Sequence, residues 1–251
     1  MNVLIVHAHP EPLSMNGAMT ACAVNTLRSL GHAVQVSDLH AMRFQPTMSA
    51  SDFAEVDSSS FLKYQAEQER AATEGRLAAD IVAEIDKCQW ADLLILQFPI
   101  SWFSVPAIMK GWIDRVFVRG IFYGSGKVFD TGGMRGKRAM LSLTTGGMPP
   151  VVNERGRFGG IQPLLFHLNY GTLWFVGYDV LDPSVVYGPA RIGAEERGRY
   201  LGLWSVRLHQ VDTELPIPYP CRDEFDEAMQ RRSEFAAPLH TMSAPRIGSN
   251  R

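Results

Sequence analysis

The sequence is poor in cysteine, in long apolar runs and in excess charge of either sign. Its three cysteines stand at 22, 88 and 221 with no CxxC pair, which argues against a disulfide framework or a zinc knuckle. Its longest apolar runs, such as Leu93 to Leu96, fall far short of the roughly 20 residues a membrane-spanning helix needs. Lys and Arg number 24 against 26 Asp and Glu, a net charge of -2. With no basic run, neither nucleic acid nor an anionic membrane is expected as a partner. The opening MNVLIVHAHP lacks the cationic start and long apolar stretch of a secretory signal, so the expected location is the cytoplasm. No GxGxxG follows a strand pattern. Gly120 to Lys127 imitates a P-loop, but five residues separate Gly120 from Gly126, and Val128 stands where the magnesium-binding hydroxyl belongs. His7 and His9 share a strand spacing but have no evident third ligand, and no metal site is expected.

What is present is an ordinary globular composition, 46% hydrophobic over 251 residues, enough for a substantial core. Val3 to Val6 is a continuous β-branched run, as in a strand buried on both faces. The spacing predicts a helix from about Asn16 to Leu30 ending at Gly31, then a strand over Ala33 to Val36. Residues 49 to 87 hold a serine cluster (Ser58, Ser59, Ser60) and then one long polar helical segment. Asp92 to Gln97 is the clearest central strand, and Pro106 opens the helix after it. Arg138 to Leu143 predicts another strand, Leu164 to Tyr170 a helix, and Leu173 to Val176, extending toward Leu181, a fifth strand. Ala194 to Val211 predicts the last helix. The alternation favours an α/β domain, a doubly wound five-stranded parallel sheet with helices on both faces. That domain is expected over residues 1–215, with 216–251 a proline-rich extension whose last part, 236–251, is a weakly ordered tail.

Ligands in such folds bind at the C-terminal ends of the strands, and three loops there carry candidate chemistry. In His9 to Asn16, a hydroxyl, an amide and a helix N-terminus can cradle a phosphate; capping of the helix by Ser14 or Asn16 explains the same residues. In Phe98 to Pro106, the adjacent Trp102 and Phe103 suit a planar ligand, or burial against a neighbouring loop or subunit. Thr144-Thr145-Gly146-Gly147 lets backbone approach a ligand closely, and a tight turn explains it equally well.

Together these loops resemble a family. Gln97 to Phe117 closely resembles the NAD(P)H:quinone oxidoreductases, as do Ser37-Asp38-Leu39, Thr144 to Gly147, and Phe175 to Tyr178 leading to Leu181-Asp182-Pro183. The similarity runs in order from residue 2 to about 215. It implies a flavodoxin-like fold, bound FAD in preference to FMN, and a homodimer with active sites at the subunit interface. It also implies two-electron transfer from NADPH or NADH to a quinone by a ping-pong route. By this resemblance His9, Met15 and Asn16 hold the FAD diphosphate and adenosine side, with Arg197 reaching the adenine half. Ile100, Ser101, Trp102 and Phe103 support the isoalloxazine ring, and Thr144, Thr145, Gly146 and Gly147 bond its polar edge. Trp102, Phe103, Gly146, Tyr123 and Phe175 match the slot that nicotinamide and quinone occupy in turn, which makes Gly146, Gly147, Tyr123 and Phe175 the catalytic candidates.

The chain also departs from the family pattern. Val152 and Phe158 stand where relatives known for quinone reduction keep a tyrosine and a histidine, and Ser125 replaces a second tyrosine. Neither Val152 nor Phe158 can donate a hydrogen bond to a flavin gathering charge; backbone N–H groups at Gly146 and Gly147, with Asn153, Arg155 or Arg157, are the candidate substitutes. A zinc-binding histidine pair of some members falls at Tyr170 and Trp174. Two other activities fit the same resemblance: a flavin-binding regulatory subunit of a membrane transporter, and a reductase of azo or nitro compounds or of free flavin.

Overall fold

The computed structural model describes residues 1–56, 61–235 and 237–245; the serine cluster at 58–60 and the tail beyond 245 lie outside them. The strands are β1 (Asn2–His7), β2 (Ala33–Asp38), β3 (Leu93–Pro99), β4 (Arg138–Thr145), β5 (Asp179–Val180) and β6 (Ser184–Tyr187). They form one parallel sheet in the order β2-β1-β3-β4-β5, with β6 also paired to β4. The helices are α1 (Met15–Ser29), α2 (Tyr64–Glu74), α3 (Ala79–Trp90), α4 (Ala107–Val116), α5 (Ile161–Leu168) and α6 (Ala194–Leu208).

Strand alternation explains why the central strands read as unbroken apolar runs. In β1, Val3 and Ile5 face a cluster with Met19, Ala23 and Leu27 of α1 and Trp204 and Leu208 of α6. Leu4 and Val6 face the other side, against Ile81, Ile85 and Cys88 of α3 and Met109, Trp112 and Val116 of α4. A strand covered on both faces has no polar face to show. The α1–α6 layer is tied by Trp204 Nε1 donating to Met19 O (3.1 Å) and by the Thr26 and Ser205 hydroxyls (3.0 Å).

Two expectations need correction. The polar segment before Lys87 is two helices, because Gly75 at φ 68° caps α2 in the left-handed region, where the chain reverses without a Cβ penalty. Leu173 to Val176 is not a strand. Asn169–Trp174 forms a π-helical turn continuing from α5. A four-residue apolar run looks the same whether it packs from a helix or a strand. The fifth position of the sheet is instead shared by β5 and β6, separated by Leu181-Asp182-Pro183, so six strands fill five places.

The C-terminal extension packs on the domain. Ile217 N–H donates to Val180 O (2.7 Å), and Tyr219 lies edge-on to Tyr170 with ring centres 5.2 Å apart. Further on, a turn at Leu239–Thr241 places His240 against Phe166, and Ala244 N–H donates to Asp182 Oδ2 (3.2 Å). Among the described residues no helix is long and apolar enough to cross a membrane.

Candidate active site

The loops after β1, β3 and β4 converge at one end of the sheet. After β3, Ile100 N–H donates to Thr144 O (2.8 Å), so the loop starts by extending the pairing with β4. Ser101 and Ser104 then exchange two backbone hydrogen bonds, both 2.9 Å. Between them Trp102 and Phe103 hold positive φ, 49° and 62°, a mirror-type turn that normally takes Asn-Gly. Each such residue costs about 1–3 kcal/mol of backbone strain. Core packing does not explain the cost, since Trp102 is 96% and Phe103 50% exposed. Ser104 Oγ meets His167 Nε2 at 3.0 Å, which moors the turn to α5.

After β4, the Thr144 hydroxyl is part of a buried chain. Gln97 Nε2 donates to Asn16 Oδ1 (2.8 Å), and Asn16 Nδ2 donates to Thr144 Oγ1 (2.9 Å). This chain joins α1, β3 and β4 directly under the site. Gly147 N–H donates to the Thr145 hydroxyl (3.2 Å). A side chain at Gly147 would collide with Val152 Cγ2 at 2.4 Å, whereas one at Gly146 would meet nothing within 4 Å.

The first loop resolves into separate roles. Ser14 is the cap, accepting from Gly17 N–H (3.1 Å). Gly17 is required there, because a Cβ would stand 2.0 Å from Pro12 O. The first-turn N–H groups of Met15 and Asn16 have no intrahelical acceptor, as at any helix start. His9 Nδ1 accepts from Glu11 N–H (3.0 Å), shaping the loop. Beneath it His7 is buried, with Nδ1 2.8 Å from the Thr20 hydroxyl, and desolvation lowers its pKa from 6.5.

Between the second and third loops lies a cavity of about 380 Å³. Ile100, Trp102, Phe103, Thr145, Gly146 and Gly147 line it with Val152, Phe158, Leu164 and Arg191. Phe158 meets Phe103 edge-on at 5.8 Å. A smaller cavity of about 260 Å³ adjoins it, bounded by Pro99, Thr144 and the loop from Gly188 to Arg191. Arg197 braces that loop, donating to Pro189 O (3.3 Å) and Ile192 O (2.7 Å).

Tyr123 and Phe175 are not with the others. Their rings, 5.6 Å apart, line a different cavity of about 380 Å³ with Ile113, Phe117 and Thr172. Burial raises the Tyr123 pKa. Within one chain, therefore, the residues expected to share one slot lie on two walls. Asn153 is turned to its own loop, its Nδ2 donating to Pro149 O (2.8 Å) and its Oδ1 accepting from Arg155 N–H (2.9 Å). Neither it nor Arg155 or Arg157 lines the cavity.

A family model described as flavodoxin-like fold matches residues 1–203. Ribosyldihydronicotinamide dehydrogenase (quinone) of Pongo abelii is 42% identical over 217 residues, covering 86% of this chain and 94% of its own. NAD(P)H dehydrogenase (quinone) 1 of Cavia porcellus is 41% identical over 225 residues, covering 89% and 82%. The chain belongs to the NAD(P)H:quinone oxidoreductase family. A solved structure, a putative quinone reductase from Klebsiella pneumoniae, superposes with a TM-score of 0.89 at 38% identity, covering 94% of this chain and 95% of that one.

The residues present fit the flavin that membership of the NAD(P)H:quinone oxidoreductase family implies. Gly146 leaves open space where a side chain would stand, two aromatics are held in solvent beside it, and a capped helix N-terminus lies at the next strand end. The sequence pattern missed Arg191 and Leu164. Arg191 follows β6, a strand the pattern did not identify, so its loop was not counted among those at the strand ends. Gly188-Pro189 directly after the run Val185-Val186-Tyr187 was the available signal.

Proposed function

We propose that the protein is an NAD(P)H dehydrogenase acting on quinones, with FAD held at the ends of β1, β3 and β4. The observation that carries this is the strained, solvent-exposed Trp102-Phe103 turn facing the open space at Gly146. A flavin bound there would supply two-electron carrier chemistry between NADH or NADPH and a quinone, with the quinone's second proton coming from solvent. A ping-pong order follows from one flat slot serving both substrates.

The chain's own residues bind and orient. Ile100, Ser101, Trp102 and Phe103 support the ring, and Thr144 to Gly147 bound its polar edge. Met15 and Asn16 N–H groups suit the diphosphate. His9 and, through the 188–193 loop, Arg197 shape the adenylate side. Leu164, Val152 and Phe158 keep water from one wall, which strengthens every electrostatic contact inside. Catalytic Tyr123 and Phe175 sit on a separate wall, and this supports a homodimer in which they complete the partner's slot. Three free thiols suit the reducing cytoplasm.

The test is a steady-state assay with NADH, NADPH and a quinone panel, alongside chromatography of the flavin released on denaturation. Turnover and FAD are expected; FMN would overturn the adenylate assignments. Yellow protein that oxidises no nicotinamide would favour a flavin-binding regulatory subunit. Faster turnover with azo or nitro acceptors or free flavin would move the natural acceptor to that class. Mixed dimers of Gly146→Trp and Phe175→Ala subunits test the shared site. Recovery of activity absent from either parent is expected, and no recovery would place both walls' function within one chain.

A further inference from the structure

The two cavities at the strand ends share Ile100, Thr145, Gly146 and Arg191. Arg191 is the one ionisable side chain on either wall among the described residues. Its backbone N–H donates to Gly188 O (2.7 Å), closing a tight turn that seats it at the seam. Nearby arginines are committed elsewhere. Arg197 bonds two carbonyls of its own loop, and Arg199 and Arg207 pair with Glu196 and Glu214. Arg191 has no such partner among the described residues, and it is exposed.

Elsewhere on the two walls the available donors are uncharged. Val152 and Phe158 have none, and the Gly147 N–H is turned to Thr145 Oγ1. Two-electron reduction of a flavin adds one proton, so one negative charge remains on the ring. In an apolar cavity an uncompensated charge is costly, and a fixed donor aimed at it is correspondingly effective. A guanidinium is protonated at every working pH, is planar, and stacks on or beside rings.

We propose that Arg191 supplies the positive charge of this site, stabilising the reduced flavin at the edge bounded by Thr145 and Gly146. This rests on the flavin reading above. It gives the chain a charge-bearing residue on the β6 loop in place of donors on the 152–158 loop.

The test is the two-electron reduction potential of the bound flavin, by dye equilibration, in wild-type holoenzyme, Arg191→Gln and Arg191→Lys. Removing the charge is expected to shift the reduced-to-oxidised ratio at least tenfold toward oxidised, about 30 mV lower for a two-electron couple. The lysine variant should stay within about threefold of wild type. A glutamine variant that keeps its flavin at the wild-type potential overturns the proposal. So does an equal shift in both variants, which would mean shape and not charge. Thermal melting controls for folding, and an exposed, unpaired arginine should change it little. Wild-type protein that binds no flavin would fail the function itself, an outcome distinct from an unchanged potential.

Discussion

Trp102 and Phe103 both hold positive φ, 49° and 62°, while the indole stands almost wholly in solvent. A glycine adopts that backbone freely, so Trp102→Gly separates the cost of the turn from its use. We expect the melting temperature to stay level or rise by a few degrees, against a strain of about 1–3 kcal/mol. Flavin affinity should fall roughly tenfold with the lost aromatic contact. Calorimetry and fluorescence titration read the two quantities, and a fall in both would show that the indole packs within the fold. His7 carries a pH dependence. Burial lowers its folded pKa below the ordinary 6.5, so below that pH the unfolded chain binds a proton that the folded one resists. Stability therefore falls as pH drops from about 6.5 through the lowered value. Urea denaturation at a series of pH values should show this slope reduced in His7→Gln; equal slopes would assign the loss to other groups.

At the scale of elements, one buried ionic cluster holds the helices around the Tyr123 wall. Arg115 of α4 donates through Nε to Asp52 Oδ1 (3.0 Å), and through Nη1 to Asp80 Oδ2 of α3 (2.7 Å) and Gln45 O (2.8 Å). Tyr64 of α2 donates to Asp52 as well. Asp52 is fully buried, so Arg115→Met leaves its charge with only the uncharged donors of Tyr64 and the Ser49 N–H. A loss of about 3–5 kcal/mol is expected. The double variant with Asp52→Asn should recover part of it, measured by urea denaturation; no recovery would locate the cost in packing. Legibility differed by element for a physical reason. β1, β3 and β4 showed in the sequence because double-sided burial demands continuous apolar residues. The short β5 and β6 did not, since two and four residues cannot establish a period. Asn169–Trp174 carries the same apolar character in a helical turn, so pattern alone misassigned it.

For the whole molecule, the packed fold continues past residue 215. Ile217 and Tyr219 are buried against Val180, Tyr170 and Trp174. Each large apolar side chain contributes about 1.5–3 kcal/mol on burial. A chain ending after Leu215 should therefore melt many degrees lower than one ending after Arg222, which keeps both side chains. Matching melting curves would make the extension an ornament on an independent domain. The sequence by itself determined the doubly wound sheet, the three loops at its strand ends and the family, because each is written in local pattern or in a long specific stretch. Tertiary structure decided the rest. It put Tyr123 and Phe175 on a wall apart from Trp102 and Gly146, turned Asn153 into its own loop, and brought Arg191 to the seam of two cavities. Those placements depend on which loops meet across the sheet, and contacts between residues far apart in the chain leave no period in a single sequence.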